Sequence, residues 1–157
     1  MAVQQPAVLE YAGMPAISGS RDMGLALSGA KVLVVDDDPD ACELVRVVLE
    51  ENGAEVFATT SPVEAFEHFR EDKPNVVVAD IIMPEESGYQ LIKRIRSHER
   101  SEGGAEIPAV ALTAKARVED RLDALAAGFQ VHVPKPVEPS ELEAIIVNLL
   151  EKDQKVH

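Results

Sequence analysis

Five short apolar runs, each followed by a longer amphipathic stretch, constrain this chain more than any other feature. The first, KVLVV at Lys31 to Val35, is β-branched and apolar at consecutive positions, which suits a strand buried on both faces of a parallel sheet. The remaining runs place strands at Glu55 to Ala58, Asn75 to Ala79, Ile107 to Leu112 and Gln130 to Val133. Between them the period changes to that of helices. Asp38 caps the first, Pro39 fits its opening turn, and Ala41, Leu44, Val45 and Val48 share a face until Gly53 ends it. Ser61, Pro62 and Glu64 read as a capping box for the second, which turns Ala65, Phe66 and Phe69 inward. A loop through Met83, Pro84 and Gly88 leads to a third helix at Tyr89 to His98, with Ile92 and Ile95 inward, and SEGG at Ser101 to Gly104 breaks it. A fourth covers Val118 to Ala127, stopped by Gly128, and a fifth starts near Glu138 and Pro139 and buries Leu142, Ile145, Ile146 and Leu149. Strand and helix alternate five times, which predicts an α/β fold with one doubly wound, five-stranded parallel sheet covered by helices on both faces.

The first 29 residues show neither period and carry repeated Gly and Pro, so residues 1–29 read as a tail or linker, 30–151 as the domain and 152–157 as a C-terminal tail. With 157 residues and 46% apolar content, one core of this size needs no disulfide or structural metal. Asp and Glu number 28 against 15 Lys and Arg, and the net charge of −13 argues against direct contact with nucleic acid or anionic lipid. The apolar runs fall far short of the roughly 20 residues that cross a bilayer. No secretory signal opens the chain, so a cytoplasmic location is expected. The single cysteine, Cys42, lies in the apolar pattern of the first helix and reads as a small core residue.

In an open parallel sheet, ligands bind beyond the carboxyl ends of the strands. Asp36, Asp37 and Asp38 follow the first strand here, Asp80 the third, Thr113 the fourth and Lys135 the fifth. Carboxylates gathered at one edge repel one another, and a hard dication that accepts oxygen ligands removes the conflict. Asp36, Asp37 and Asp80 are therefore candidate Mg²⁺ ligands. Helix capping, the plain alternative, needs one residue, and Asp38 supplies it.

The segments VLVVDDDP, VVVADIIMP, ALTA and PKPV, in this order and spacing, closely resemble the receiver domain of two-component response regulators. GFQVHVPKPVEPSEL and LSGAKVLVVDD further resemble receivers attached to hybrid sensor histidine kinases. The resemblance implies a flavodoxin-like sheet of strand order 2-1-3-4-5 and assigns roles position by position. Asp80 would be the phosphoacceptor, Asp37 a direct Mg²⁺ ligand, Asp36 a ligand through water, and the backbone carbonyl of Ile82 a further ligand. Thr113 would bond a phosphoryl oxygen, and Lys135 would pair with Asp80 and then with its phosphate. A cis peptide between Lys135 and Pro136 is implied as well. Such a domain is no conventional enzyme, although it catalyses its own phosphorylation and slow dephosphorylation. Its donors would be a histidine kinase or a histidine phosphotransfer domain. The seven residues after Leu150 leave no room for an output domain, so output is expected through a protein target on the face of the fourth helix, fifth strand and fifth helix. The family also admits a phosphorylation-dependent homodimer.

The chain departs from the family pattern in two places. His132 stands where an aromatic residue usually turns inward as the threonine moves, and reads either as a switching group beside Thr113 or as a half-buried strand residue. Glu85, Glu86 and Ser87 occupy a loop where small residues are usual, which puts the turn's geometry in question. Ile82 and Lys115, two residues beyond Asp80 and Thr113, would border the path of hydrolytic water. An aspartyl phosphatase of the haloacid-dehalogenase type needs Asp-x-Asp followed by Thr or Val, whereas Asp36-x-Asp38 precedes Pro39. A calcium loop starting at Asp36 would need glycine at Ala41 and glutamate at Val47. A receiver-shaped interaction module with little phosphate turnover would be marked by loss of Asp80, Thr113 or Lys135, and all three are present.

Overall fold

A computed structural model describes residues 25–114 and 118–156. The order is β1 (Lys31–Val35), α1 (Pro39–Glu51), β2 (Glu55–Thr59), α2 (Pro62–Asp72), β3 (Val76–Asp80), α3 (Gly88–Ser101), β4 (Ala109–Thr113), α4 (Val118–Ala127), β5 (Val131–Pro134) and α5 (Pro139–Val156). All strand pairs are parallel, and the sheet order is β2-β1-β3-β4-β5, the flavodoxin-like order expected. The three central strands are apolar at nearly every position because both their faces are covered. On one face Val32, Val34, Val76 and Val78 meet Val45 and Leu49 of α1 and Ile146 of α5. On the other, Leu33 and Val77 meet Phe69 of α2, Ile95 of α3 and Ala124 of α4. Among the described residues no helix is long and apolar enough to cross a membrane.

Cys42 is buried at the α1 edge, its thiol 3.6 Å from the carbonyl of Thr59. Burial, and then the charge of Asp36, push its pKa up. This is the core residue that its place in the apolar pattern implied.

Several boundaries differ from the sequence expectation. The domain begins before residue 30: Leu27, 1% exposed, sits in the core with Leu49 and Ile146, and its N–H donates to the carbonyl of Asn52 at 2.8 Å. Burying a leucine is worth about 2 kcal/mol, enough to hold a turn that has no period to read. The C-terminal tail expected from residue 152 is instead helical to Val156, since no Gly or Pro follows Pro139 to stop α5. Strand β4 starts at Ala109 because Pro108 has no N–H to give the ladder. It ends on Thr113, one residue later than expected, and β3 likewise ends on Asp80. The Ser61 capping box is half made. Ser61 Oγ accepts from the Glu64 N–H at 3.2 Å, but the Glu64 carboxylate turns to Thr59 Oγ1 at 2.9 Å. The complete box lies at α3, where Ser87 and Gln90 bond reciprocally and start the helix at Gly88.

Candidate functional site

The strand ends place the polar residues by register. Asp36 follows β1 directly and is 1% exposed, with Oδ1 accepting the N–H of Asp38 at 3.0 Å. Asp38 in turn caps α1 by accepting from the Asp40 N–H at 3.0 Å, while Asp37 stays exposed. Asp80 is 5% exposed and opposes Leu112 in the ladder. Its Oδ1 accepts the N–H of Ile82 at 3.2 Å and its Oδ2 lies 3.3 Å from Lys135 Nζ. The same ammonium is 2.9 Å from Asp36 Oδ2. The Lys135 N–H donates to the Thr113 carbonyl at 2.7 Å, and the next peptide, Lys135–Pro136, is cis.

This packing shifts the titration of the pair. Burial and then the Asp36 charge push Asp80 up to about 6, against the opposing pull of Lys135. Burial works against the charge on Lys135, but its bond to Asp36 and the attraction of both carboxylates outweigh that and raise its pKa. One ligand oxygen from each of Asp36, Asp37 and Asp80 lies within 4.8 Å of the others. Lys135 balances one of these three charges. The remaining charge and the all-oxygen donor set fit a hard dication such as Mg²⁺ and would suit a thiophilic metal poorly.

Residues 32–147 match the response regulator receiver domain family. The chain belongs to that family. An uncharacterized 14.6 kDa protein encoded in the sodA1 3′ region of Leptolyngbya boryana is 42% identical over 120 residues, covering 76% of this chain and 89% of that protein. Response regulator Rre1 of Synechocystis is 36% identical over 124 residues, 78% of this chain, but the match spans about half of that longer relative, 52%. Among solved structures, a receiver domain protein from Clostridium thermocellum superposes with a TM-score of 0.72 at 25% identity, covering 82% of this chain and 99% of that one.

This receiver domain brings Asp36, Asp37, Asp80 and Lys135 into one cluster. Thr113 is buried at the end of β4, opposite Pro134 in register. His132 opposes Ala111 and, by strand alternation, shares the Thr113 face. It is half-buried, and its Nε2 is shielded with no hydrogen-bond partner among the described residues. The Ile82 side chain is 55% exposed at the mouth of the site. Lys115 lies outside the described residues. The Glu85–Ser87 turn holds its shape through the Ser87 cap and through Glu86, which pairs with Arg94 at 2.9 Å.

Gly88 matters more to the site than its reading as a loop residue suggested. A Cβ there would stand 2.4 Å from the Asp80 carbonyl oxygen and 3.0 Å from Ile81 Cα. Its N–H donates to the Ile81 carbonyl at 2.8 Å, so α3 begins in direct contact with the backbone of the site. A glycine that opens a helix just after a strand-end carboxylate is the signal that could have shown this.

Proposed function

We propose that this receiver domain accepts a phosphoryl group on Asp80 from the phosphohistidine of a histidine kinase or a histidine phosphotransfer domain. The observation that carries the reading is the double hold on Asp80: the Ile82 N–H on Oδ1 and the Lys135 ammonium on Oδ2. A carboxylate fixed at both oxygens presents a lone pair in a constant direction, which is most of what phosphoryl transfer asks of a protein. In the proposed step an Asp80 oxygen attacks phosphorus in line. The new P–O bond forms as the P–N bond to the donor breaks, and the imidazole keeps the electron pair and takes up a proton. Lys135 faces the charge on the transferred oxygens, and Thr113, at the end of the neighbouring strand, bonds one of them. Asp36, Asp37, Asp80 and the Ile82 carbonyl are the proposed Mg²⁺ holders, and the ion when bound supplies further positive charge to the phosphoryl oxygens.

The product is an acyl phosphate that water hydrolyses, so the state is temporary. Ile82, apolar at the mouth of the site, cannot orient that water by hydrogen bonding, and slow self-hydrolysis is the proposed result. Output is assigned to the α4-β5-α5 face, where Val118, Leu122 and Leu125 of α4 are exposed and apolar. His132, lacking a partner for Nε2 beside Thr113, is the proposed link between the site and that face.

Incubation with acetyl phosphate and Mg²⁺, read by intact mass, tests the assignment. The chain should gain one phosphoryl group, and Asp80→Asn should gain none. Labelling should also stop when the cation is chelated. Equal labelling of both proteins would move the nucleophile elsewhere.

A further inference from the structure

Away from the strand-end site, α3 carries a buried ion pair that the proposed chemistry does not use. Arg96 and Glu99 are 3% and 5% exposed, and Arg96 Nη1 meets Glu99 Oε1 at 2.9 Å. The rest of the guanidinium leaves its own helix. Nε and Nη2 both donate to the carbonyl of Gly128, at 3.0 and 2.8 Å, and Nη2 also reaches Gln130 Oε1 at 3.2 Å. Glu99 Oε2 accepts the Ile107 N–H at 2.9 Å, and Gln130 Oε1 accepts the Ala109 N–H at 2.6 Å. Gly128 is the residue that ends α4, with its N–H on the carbonyls of Ala124 and Leu125 and a positive φ of 128°. A Cβ there would lie 3.0 Å from Arg96 Cγ, so the glycine lets the arginine stem pass.

A cation thus holds the carbonyl end of α4, where the helix dipole favours positive charge. The other end of the helix is packed differently. Ala124 is the buried residue of α4, and Val118 and Leu122, in the N-terminal half, are 62% and 57% exposed. A helix with one buried side chain gains little from burial along its length.

We propose that Arg96 is a positioning residue that makes α4 a one-ended lever. Its C-terminal turn is pinned to α3 and to the start of β4 through the guanidinium. Its N-terminal half, which follows Thr113 in the chain, carries the displacement. The function of the pin is to keep β5 and the α4–β5 turn in place while Val118 and Leu122, the exposed apolar residues of the N-terminal half, change position. Where this concerns switching, it rests on the phosphoacceptor reading above; the pin itself does not.

Amide hydrogen exchange on the full chain tests it, with β3 amides as the reference for global opening. The variant pair is Arg96→Met with Glu99→Gln, which removes both charges while the glutamine oxygen can still accept from Ile107. Exchange at Ala127, Gly128 and Phe129 relative to β3 should rise at least about tenfold, as expected for lost hydrogen bonds to a charged group. Glu99→Gln alone, which keeps the bonds to Gly128, should leave that ratio unchanged even if overall stability falls. A purely structural pair would move both variants together and leave the ratio constant in each, and that result overturns the lever. With beryllofluoride as phosphoryl mimic, exchange in the native chain should change at residues 118–122 and hold at Gly128 and Phe129. Equal change at both ends overturns the pin. If beryllofluoride does not bind, the phosphoacceptor reading fails, and the unliganded ratio still decides the fate of the pin.

Discussion

Replacing Asp80 by asparagine should stabilise the metal-free domain, and by an amount that depends on pH. Asp80 titrates near 6 in place of the usual 3.8, chiefly through burial and then through Asp36. The folded state therefore holds this proton more tightly than the unfolded chain does. The stability associated with the proton is intact below about pH 3.8 and is lost as pH rises through about 6. A displacement of about two pKa units corresponds to roughly 3 kcal/mol once the group is ionised in both states. Asparagine keeps the shape without the charge, and Lys135 retains Asp36 as a partner. Urea denaturation in the presence of a chelator should show Asp80→Asn more stable than the native sequence at pH 7.5. Between about pH 4.5 and 7.5 the difference should grow by roughly 2 kcal/mol. Mg²⁺ should narrow the gap at the upper end, because it stabilises the protein that retains the third carboxylate. Stability curves that run parallel across this range would rule out a raised Asp80 pKa in the folded state, since a pH-independent gap means that Asp80 titrates alike in both states.

Gly88→Ala should cost about 1–3 kcal/mol, because the new methyl meets backbone that cannot step aside, whereas Gly104→Ala should be close to neutral; thermal melts of the pair check this. Lys135→Met should lower acetyl phosphate labelling at least about tenfold by removing the cation nearest Asp80, and carboxyl NMR should show Asp80 titrating above 6. His132→Phe removes an unpartnered ring nitrogen while keeping a ring, and should stabilise the fold by up to about 1 kcal/mol in urea titrations; destabilisation would mean that Nε2 has a partner.

The parts of this architecture that were legible in the sequence are those governed by local periodicity and strand ends. The β-branched runs showed which segments are buried on both faces, and the polar residues after the first, third, fourth and fifth runs pointed to the site, because a parallel sheet sends all its carboxyl ends to one edge. Leu27 was not legible, since a lone leucine in a turn carries no period and its burial depends on α1 and α5 packing across it. The Glu64 side chain was misread for a related reason. The local rule offered it the Ser61 backbone, and the folded edge offered it the Thr59 hydroxyl. Arg96 and Glu99 carried no signal in the sequence, since their partners at Gly128 and Ile107 come from segments that only the fold brings near.

The burial of Cys42 gives the protein an internal clock for its own opening. A thiol reagent needs a thiolate it can reach, and this sulfur is both covered and, through burial and the adjacent Asp36, held above its usual pKa. Because the chain has a single cysteine, every modification event reports one place, the seam between α1 and the edge strand β2. Labelling rates followed against reagent concentration would time the parting of that seam in the unmodified protein. Repeating the measurement with Mg²⁺ would show how far a cation at the strand ends steadies an edge it does not touch.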